Sequence, residues 1–418
     1  MIQRVLVDQV VEAAPARVVV TRDADGTVTD AAFDLSGLPR VDALLVGRPV
    51  VEVPALVERL CSICPAAHHL AGMRALEGLA GLGELPATAE AVRRLLHFGA
   101  VIAIDAAGLI ATAPAEARLL RRFAKAVMAA AGSPGYFPTT AVPGGVVAPV
   151  VPAERDQVAA LVAEALAVAQ RLAEQALTVP VAHDRFVGAD LALVDQAGQL
   201  DLFGRWLRAV AADGQPVVVA AEPGQWDELV AEAVPGSSAP RPYLVGLGPA
   251  AGSYRVGPVA QLRVGRVPTP LAAELQQAWR ARGGAAAARA IIVVHAIETI
   301  AELLGRPELV AGPVAADWPE PLPAGVGLGW VDGARGLLIH RYATDFAGRV
   351  ATATILTPTA QNEPWLGGLL RAAVEVPAGD DQRDQVEQAI HEADPCLPCS
   401  TAAAGTMDLV VETEVGGG

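Results

Sequence analysis

The chain holds four cysteines, and they stand in two pairs of identical spacing. The first pair is Arg59-Leu60-Cys61-Ser62-Ile63-Cys64-Pro65, with His68 about one helical turn beyond. The second is Asp394-Pro395-Cys396-Leu397-Pro398-Cys399. Two intervening residues let both sulfurs of a pair turn toward one ion. Pro65 suits the first position of a helix, so Cys64 is expected at a helix N-terminus. There the exposed N–H groups and the dipole favour the thiolate, the form that binds metal. Four thiolates saturate a soft or borderline site, and by ligand type alone zinc, iron and nickel fit equally well.

A structural zinc site with four cysteine ligands is the default for such pairs. Two observations weigh against it. Zinc modules bring their pairs together within some tens of residues, whereas these lie near opposite ends of the chain. Zinc also gives no reason for the residues that surround the pairs. A redox CxxC is a third option, but its small βαβ setting is missing. Four cysteines in 418 residues are too few for a disulfide framework.

The pairs must be positioned by the elements between them. Residues 2–8, 16–22 and 26–34 read as short strands, with the turn Asp23-Ala24-Asp25-Gly26 between two of them. From Pro54 onward the apolar period becomes helical, with segments 65–80, 88–112, 115–131 and 154–176 separated by Gly or Pro. Residues 177–265 mix short strands with proline-rich loops. Helices return at 268–282 and 285–304, the run 283–288 being a helix start. A strand pair follows at 336–342 and 349–356, joined by a turn at 344–348, and a helix at 381–391 precedes the last cysteines. There is no internal repeat and no low-complexity linker. The expectation is one α+β body, mainly helical, over 1–418: an N-terminal strand region at 1–50, helices with the first pair at 51–176, a mixed part at 177–265, helices and strands with the second pair at 266–399, and a tail at 400–418.

Hydrophobic residues make up 52% of the chain and charged ones 18%, so much of it must be buried, in close-packed helices or against a partner subunit. The formal charge of −15 excludes nucleic acid as a partner, since counterion release would oppose binding and no basic stretch offsets it. Apolar runs such as 146–151 are too short to span a bilayer, so no transmembrane segment is expected. No secretory signal is evident, and the cytoplasm is the expected location, with export beside a signal-bearing partner as the alternative.

The large subunit of [NiFe] hydrogenases carries Arg-x-Cys-x-x-Cys-x-x-x-His near its start and Asp-Pro-Cys-x-x-Cys at its end. This chain resembles it at both: Arg59, Cys61, Cys64 and His68, then Asp394, Pro395, Cys396 and Cys399. Three further blocks agree in order. Val142-Pro143-Gly144-Gly145 resembles the family's Val-Pro-Gly-Gly turn, and Ala334-Arg335-Gly336-Leu337-Leu338-Ile339-His340 its Ala-Pro-Arg-Gly-x-x-x-His block. Pro358-Thr359-Ala360-Gln361-Asn362 resembles its Pro-Thr-Thr-x-Asn. The helix over 290–304, with His295 and Glu298, is similar to one in the family. His68-His69 and His97-Phe98-Gly99 are most similar to the cytoplasmic, bidirectional, cofactor-coupled members.

The resemblance implies the large-subunit fold, a central helix bundle with short peripheral sheets. It also implies reversible heterolytic cleavage of H2 to protons and electrons. Cys64 and Cys399 would bridge nickel to an iron carrying CO and two cyanides, while Cys61 and Cys396 bind nickel alone and Cys396 takes the proton. Arg335 would hold its guanidinium over the open face in an electrostatic role, with a base role as the alternative; Asp394 would orient it. Pro358 and Thr359 would line the pocket of the diatomic ligands, the hydroxyl donating to a cyanide. His68 would donate to a bridging sulfur, or else be a satisfied helix histidine, and His340 is expected to be structural. Electrons would leave to an Fe–S small subunit, because no cysteine remains here to hold a cluster. Diaphorase or other electron-transfer subunits would stand beyond it.

The match has gaps. The family's N-terminal Arg-Ile-Glu-Gly-His block, whose Glu passes the proton outward, is represented only by Val11-Glu12-Ala13, so Glu12 becomes the proton relay only after a one-residue shift. Asp42 stands where the family has a Glu on a structural Mg2+, and Ala402 where it has another ligand of that ion. Ile104-Asp105 replaces a common Ser-His, and Phe137 a His. Ala402 also occupies the position at which the family's tail is cut, which implies a retained tail 400–418 or a divergent relative that binds metal poorly. An H2 sensor with slow turnover, an inactive relative and a structural zinc protein are therefore carried as alternatives to the enzyme.

Overall fold

The computed structural model describes residues 16–36, 41–61, 63–181, 186–375, 380–397, 400, 402 and 405–415. The expected strand at 2–8, Glu12 and Cys399 lie outside the described residues. The helices that frame the site are α1 (Val53–Leu60), α2 (Pro65–Leu79), α3 (Ala87–Gly108), α4 (Pro114–Ala130), α5 (Pro152–Ala176), α6 (Pro258–Val264), α7 (Pro270–Arg280), α8 (Ala285–Leu304), α9 (Pro358–Gln361), α10 (Glu363–Val374) and α11 (Asp380–Ala393). Proline opens α2, α4, α5, α6 and α7. Its fixed φ suits the first turn and its missing N–H would have found no helical partner there, which is why these starts are legible in the sequence.

Helix α8 is the axis of the bundle. Ile291, Ile292, Val294, Ala296, Ile297 and Ile300 are fully buried, and the helix packs against α3, α5 and α7. A helix apolar on every side can only be an interior one. Small residues let its neighbours approach closely: a Cβ on Gly99 of α3 would stand 2.9 Å from Val127 of α4.

The strands of the three larger sheets are β1 (Ala16–Arg22), β2 (Val28–Phe33), β3 (Ala189–Val194), β4 (Trp206–Val210), β5 (Pro216–Ala221), β6 (Tyr254–Arg255), β7 (Gly325–Gly333), β8 (Gly336–Thr344), β9 (Val350–Leu356) and β10 (Leu409–Val415). They form three sheets, β10-β1-β2, β6-β3-β4-β5 and β7-β8-β9. In the first, β10 runs parallel to β1 from Ala16↔Leu409 to Arg22↔Val415, so one end of the chain is sewn to the other. The strands β1, β2, β8 and β9 fall where the alternating pattern puts them. Strand β10 and the glycine-rich β7 do not follow from that pattern.

Strand β7 is Gly-Val-Gly-Leu-Gly-Trp-Val-Asp-Gly, a composition that weakens strand propensity. Its glycines serve contact with α2, which lies across this strand. A Cβ on Gly329 would stand 2.3 Å from both Ala71 O and Ala75 N, and one on Gly327 would stand 2.0 Å from Ala75 O. Backbone meets backbone there, and no side chain can give way. Trp330, the residue after Gly329 and so on the opposite face, is buried with Leu191, Leu207, Tyr254 and Leu337 in a second, smaller core. Gly329→Ala should therefore lower stability by about 1–3 kcal/mol, the usual scale of overpacking. Gly325→Ala, whose Cβ would meet only Leu79 Cδ1 at 3.7 Å, should change little. Urea unfolding midpoints of the two variants check the difference.

Candidate metal centre

The first cysteine pair sits in the break between α1 and α2. Cys61 ends α1 in an extended conformation, and Cys64 is the residue before the first turn of α2, with Pro65 opening that turn. Cys64 N–H donates to Cys61 Sγ at 3.3 Å, and the two sulfurs are 3.2 Å apart. His68 follows on the same helix, with a ring nitrogen within 4.8 Å of both sulfurs. The second pair is brought in by the end of α11. Asp394 stops that helix with φ 47°, the left-handed conformation that Asp tolerates better than most residues, and Pro395 cannot continue it. Cys396 Sγ then lies 3.7 Å from Cys64 Sγ, across 332 residues of sequence. Its own N–H donates to Thr359 Oγ1 at 2.8 Å, so α9, which begins at Pro358, fixes the backbone of the second pair.

These spacings fit thiolates sharing one ion. With metal–sulfur bonds of about 2.3 Å, two ligands stand about 3.3 Å apart at a right angle and about 3.8 Å apart at the tetrahedral angle. A disulfide would need about 2.05 Å. The electrostatics agree. Hydrogen bonds from Cys396 and Cys64, with a further one from His68, hold the Cys61 thiol far below its usual range. The same neighbours and burial push Cys64 up, and Cys61 foremost pushes Cys396 up. Further negative charge among sulfurs this close is disfavoured, and a cation among them would offset the repulsion.

Arg335 projects from the turn between β7 and β8. Nη1 donates to Asp105 at 2.9 Å, and Nη2 forms an ion pair with Asp394 Oδ2 at 3.0 Å, so two carboxylates flank the guanidinium. Gly336, at φ 121°, lies back to back with Gly257, and a Cβ on it would stand 2.6 Å from Gly257 N. The glycine after the arginine is thus required by close approach. Burial pulls the Arg335 pKa down, but Asp394 and Asp105 more than offset it and hold the group above its usual range. Burial pushes Asp105 up to about 7 against the pull of Arg335. The arginine's charge in turn favours the Cys396 thiolate.

Several residues of the matched blocks prove to hold the frame. Glu77 and Arg93 form a buried pair, and Arg93 also donates to the carbonyls of Val142 and Gly145, pinning the Val-Pro-Gly-Gly turn. His69 Nδ1 lies 2.7 Å from Glu58, and its Nε2 accepts from Ala141 N. Glu298 accepts from the N–H groups of Leu271 and Ala272 and so caps α7. Asn362 bonds both the N–H and the carbonyl of Val256. Asp42 lies in a short helix, Val41–Leu45; among the described residues, the group of His, Cys, Asp and Glu with metal-ligand spacing is Cys61, Cys64 and His68. Asp105 is the functional neighbour that the sequence named only as a departure, since nothing local ties it to Arg335. His340, expected to be structural, is hydrogen-bonded on both sides: its Nε2 lies 2.9 Å from His68 Nδ1, and its Nδ1 lies 2.5 Å from the Tyr342 hydroxyl.

No protein-family model matches the chain. It is 30% identical to one subunit of the F420-non-reducing hydrogenase vhu of Methanococcus voltae, over 86% of this chain and 95% of that one. It is 29% identical to the NAD-reducing hydrogenase HoxS subunit beta of Cupriavidus necator, over 94% and 93%. A crystal structure of an NAD+-reducing [NiFe]-hydrogenase in the H2-reduced state matches with a TM-score of 0.79 at 28% identity, covering 91% of this chain and 95% of that one. The [NiFeSe] hydrogenase of Desulfovibrio vulgaris Hildenborough, at 18% identity and a TM-score of 0.62 over 92% of this chain and 98% of that one, shares the fold. Near-complete coverage in both directions at 30% identity, together with Cys61, Cys64 and Cys396 meeting beside a clamped arginine, places the chain in the [NiFe]-hydrogenase large-subunit family.

Proposed function

We propose that this chain is the catalytic subunit of a [NiFe] hydrogenase and cleaves H2 reversibly into protons and electrons. The observation that carries the reading is the meeting of Cys61, Cys64 and Cys396 at 3.2 and 3.7 Å within reach of the charge of Arg335. Cys61 and Cys396 are assigned to nickel, Cys64 and Cys399 to the bridge with an iron that carries CO and two cyanides. When bound, this pair of metals supplies an open coordination position at which H2 is polarised and split.

The chain's own groups do the rest. Cys396 is assigned as the first proton acceptor, a thiolate at short range. Arg335 remains a cation, and its double clamp means that no reorganisation is needed when charge develops beneath it. The Thr359 oxygen is committed to Cys396 N–H, which leaves its hydrogen to donate into the diatomic-ligand pocket beside Pro358. Glu12 is assigned, with less support from its neighbours in sequence, to carry protons outward. Electrons pass to an Fe–S small subunit, and a diaphorase-type or other electron-transfer subunit can follow. Leu60, Tyr136 and Phe137 are exposed apolar side chains beside the first pair; the sulfurs' charge reaches the Tyr136 phenol. Such a patch suits a subunit interface. No helix among the described residues is long and apolar enough to cross a membrane.

Metal analysis and infrared spectra on the protein purified with its native partners test the reading. About one nickel per chain, with stretching bands of bound CO and cyanide, is expected; zinc without those bands would overturn it. Turnover of H2 then separates an enzyme from a sensor. Cys64→Ala should abolish nickel retention, and full nickel in that variant would remove the bridging assignment. Arg335→Lys should keep the metals but reduce H2 turnover by on the order of 10²-fold, the scale for losing one preorganised donor. An unchanged rate would take Arg335 off the list of catalytic groups.

A further inference from the structure

Behind the first cysteine pair, three buried side chains form a line leading away from the sulfurs. His340 and Tyr342 lie two residues apart on β8, hence on one face of that strand, and both are fully buried. His340 Nε2 stands 2.9 Å from His68 Nδ1, and its Nδ1 stands 2.5 Å from the Tyr342 hydroxyl. His68 carries the line to the cysteines, with a ring nitrogen within 4.8 Å of the Cys61 and Cys64 sulfurs.

A neutral imidazole has one N–H and one lone pair, so a chain of such rings has a direction set by its ends. The phenol sets it here. Burial raises the Tyr342 pKa and lowers that of His340, keeping the phenol protonated and the ring neutral. Among the described residues, the bond found for the Tyr342 hydroxyl is the one to His340 Nδ1. A buried O–H without an acceptor costs about 1–3 kcal/mol, so the phenol donates to Nδ1. His340 must then hold its hydrogen on Nε2 and donate it to His68 Nδ1. That leaves His68 with a lone pair on Nδ1 and its hydrogen on Nε2.

We propose that Tyr342, acting through His340, is a positioning residue that locks His68 into its Nε2–H tautomer, so that the ring nitrogen not bonded to His340 carries an N–H donor beside the first cysteine pair. The opposite tautomer would leave that nitrogen with a lone pair near thiolate charge. The selection is made by a side chain that touches neither sulfur nor His68, in the manner of an outer group fixing the ring of a ligand's neighbour. This inference rests on the hydrogenase reading only for what the donor serves, not for the direction of the chain.

The test is long-range 1H–15N spectroscopy on the complex labelled with 15N-histidine, which distinguishes the two tautomers ring by ring. His68 and His340 should both show the Nε2–H pattern. Tyr342→Phe, which removes one oxygen, should release His340 from that single pattern and shift the CO and cyanide bands while nickel content stays the same. Adding His340→Gln to Tyr342→Phe should restore Nε2–H on His68, because the glutamine amide donates without instruction from a phenol. A Nδ1–H pattern on His68 in the unaltered complex would overturn the proposal, whether or not the variants fold; so would unchanged tautomers in Tyr342→Phe. Nickel analysis of the same sample judges the hydrogenase reading separately, since the hydrogen positions are read whatever metal is present.

Discussion

Thiolates repel one another, and burial makes the repulsion worse. Cys61, Cys64 and Cys396 nevertheless share one half-buried place, with Cys61 as the sulfur that most readily carries charge and the other two pushed toward the thiol. In its ionised form such a cluster is stabilised by a cation among the sulfurs. Everything near it can be read as the means of holding anionic ligands still. Helix α2 offers its N-terminus to Cys64, Asp394 and Asp105 flank Arg335, and Thr359 takes the Cys396 N–H. The frame supplies positive or donor groups where the sulfurs are and pairs the nearby carboxylates, Asp105 and Asp394, with the arginine.

A single hairpin carries most of that frame. Strand β7 lies against α2, backbone to backbone, at Gly327 and Gly329, and so sets the height of the helix whose first residue follows Cys64. The turn that follows presents Arg335. Strand β8 then returns with His340 and Tyr342 behind His68. Helix start, arginine and the line of rings are therefore positioned by one rigid object of two strands in continuous register from Gly325↔Thr344 to Gly333↔Gly336. A shift of this hairpin would move all three together, which preserves their mutual geometry in a way that three separate loops would not.

This organisation explains what the sequence discloses. The cysteine pairs, Pro65, Asp394-Pro395 and the proline-led helices are local features, in which residue type and spacing already state the chemistry or the conformation. Arg335 is legible because the Ala-Arg-Gly block around it resembles the family's, and the close approach of Gly336 to Gly257 shows what that glycine serves. Asp105 and Tyr342 are not legible, because their significance depends on partners far away in the chain that no local period reports. Strand β7 is hidden for a related reason: its glycines answer to α2, and tertiary packing overrides the propensity that would mark a strand. Glu298 reads as part of a familiar helix, yet its work is to cap α7, a role set by where α7 begins.

The two ends of the chain also close the site together. Cys396 stands shortly before β10, and β10 is paired with β1 along its length. Arg383 of α11 donates to the carbonyls of Leu409 and Met407, and Gly405 N–H donates to Glu387 on the same helix. The helix that delivers the second cysteine pair is thus tied to the strand that follows it, and that strand is tied to the start of the fold. Docking of α11 and pairing of β10 with β1 hold Cys396 beside Cys64. Burial of Met407 and Leu409 contributes to that arrangement, while the mutual repulsion of the thiolates opposes it, and a cation between them removes the opposition.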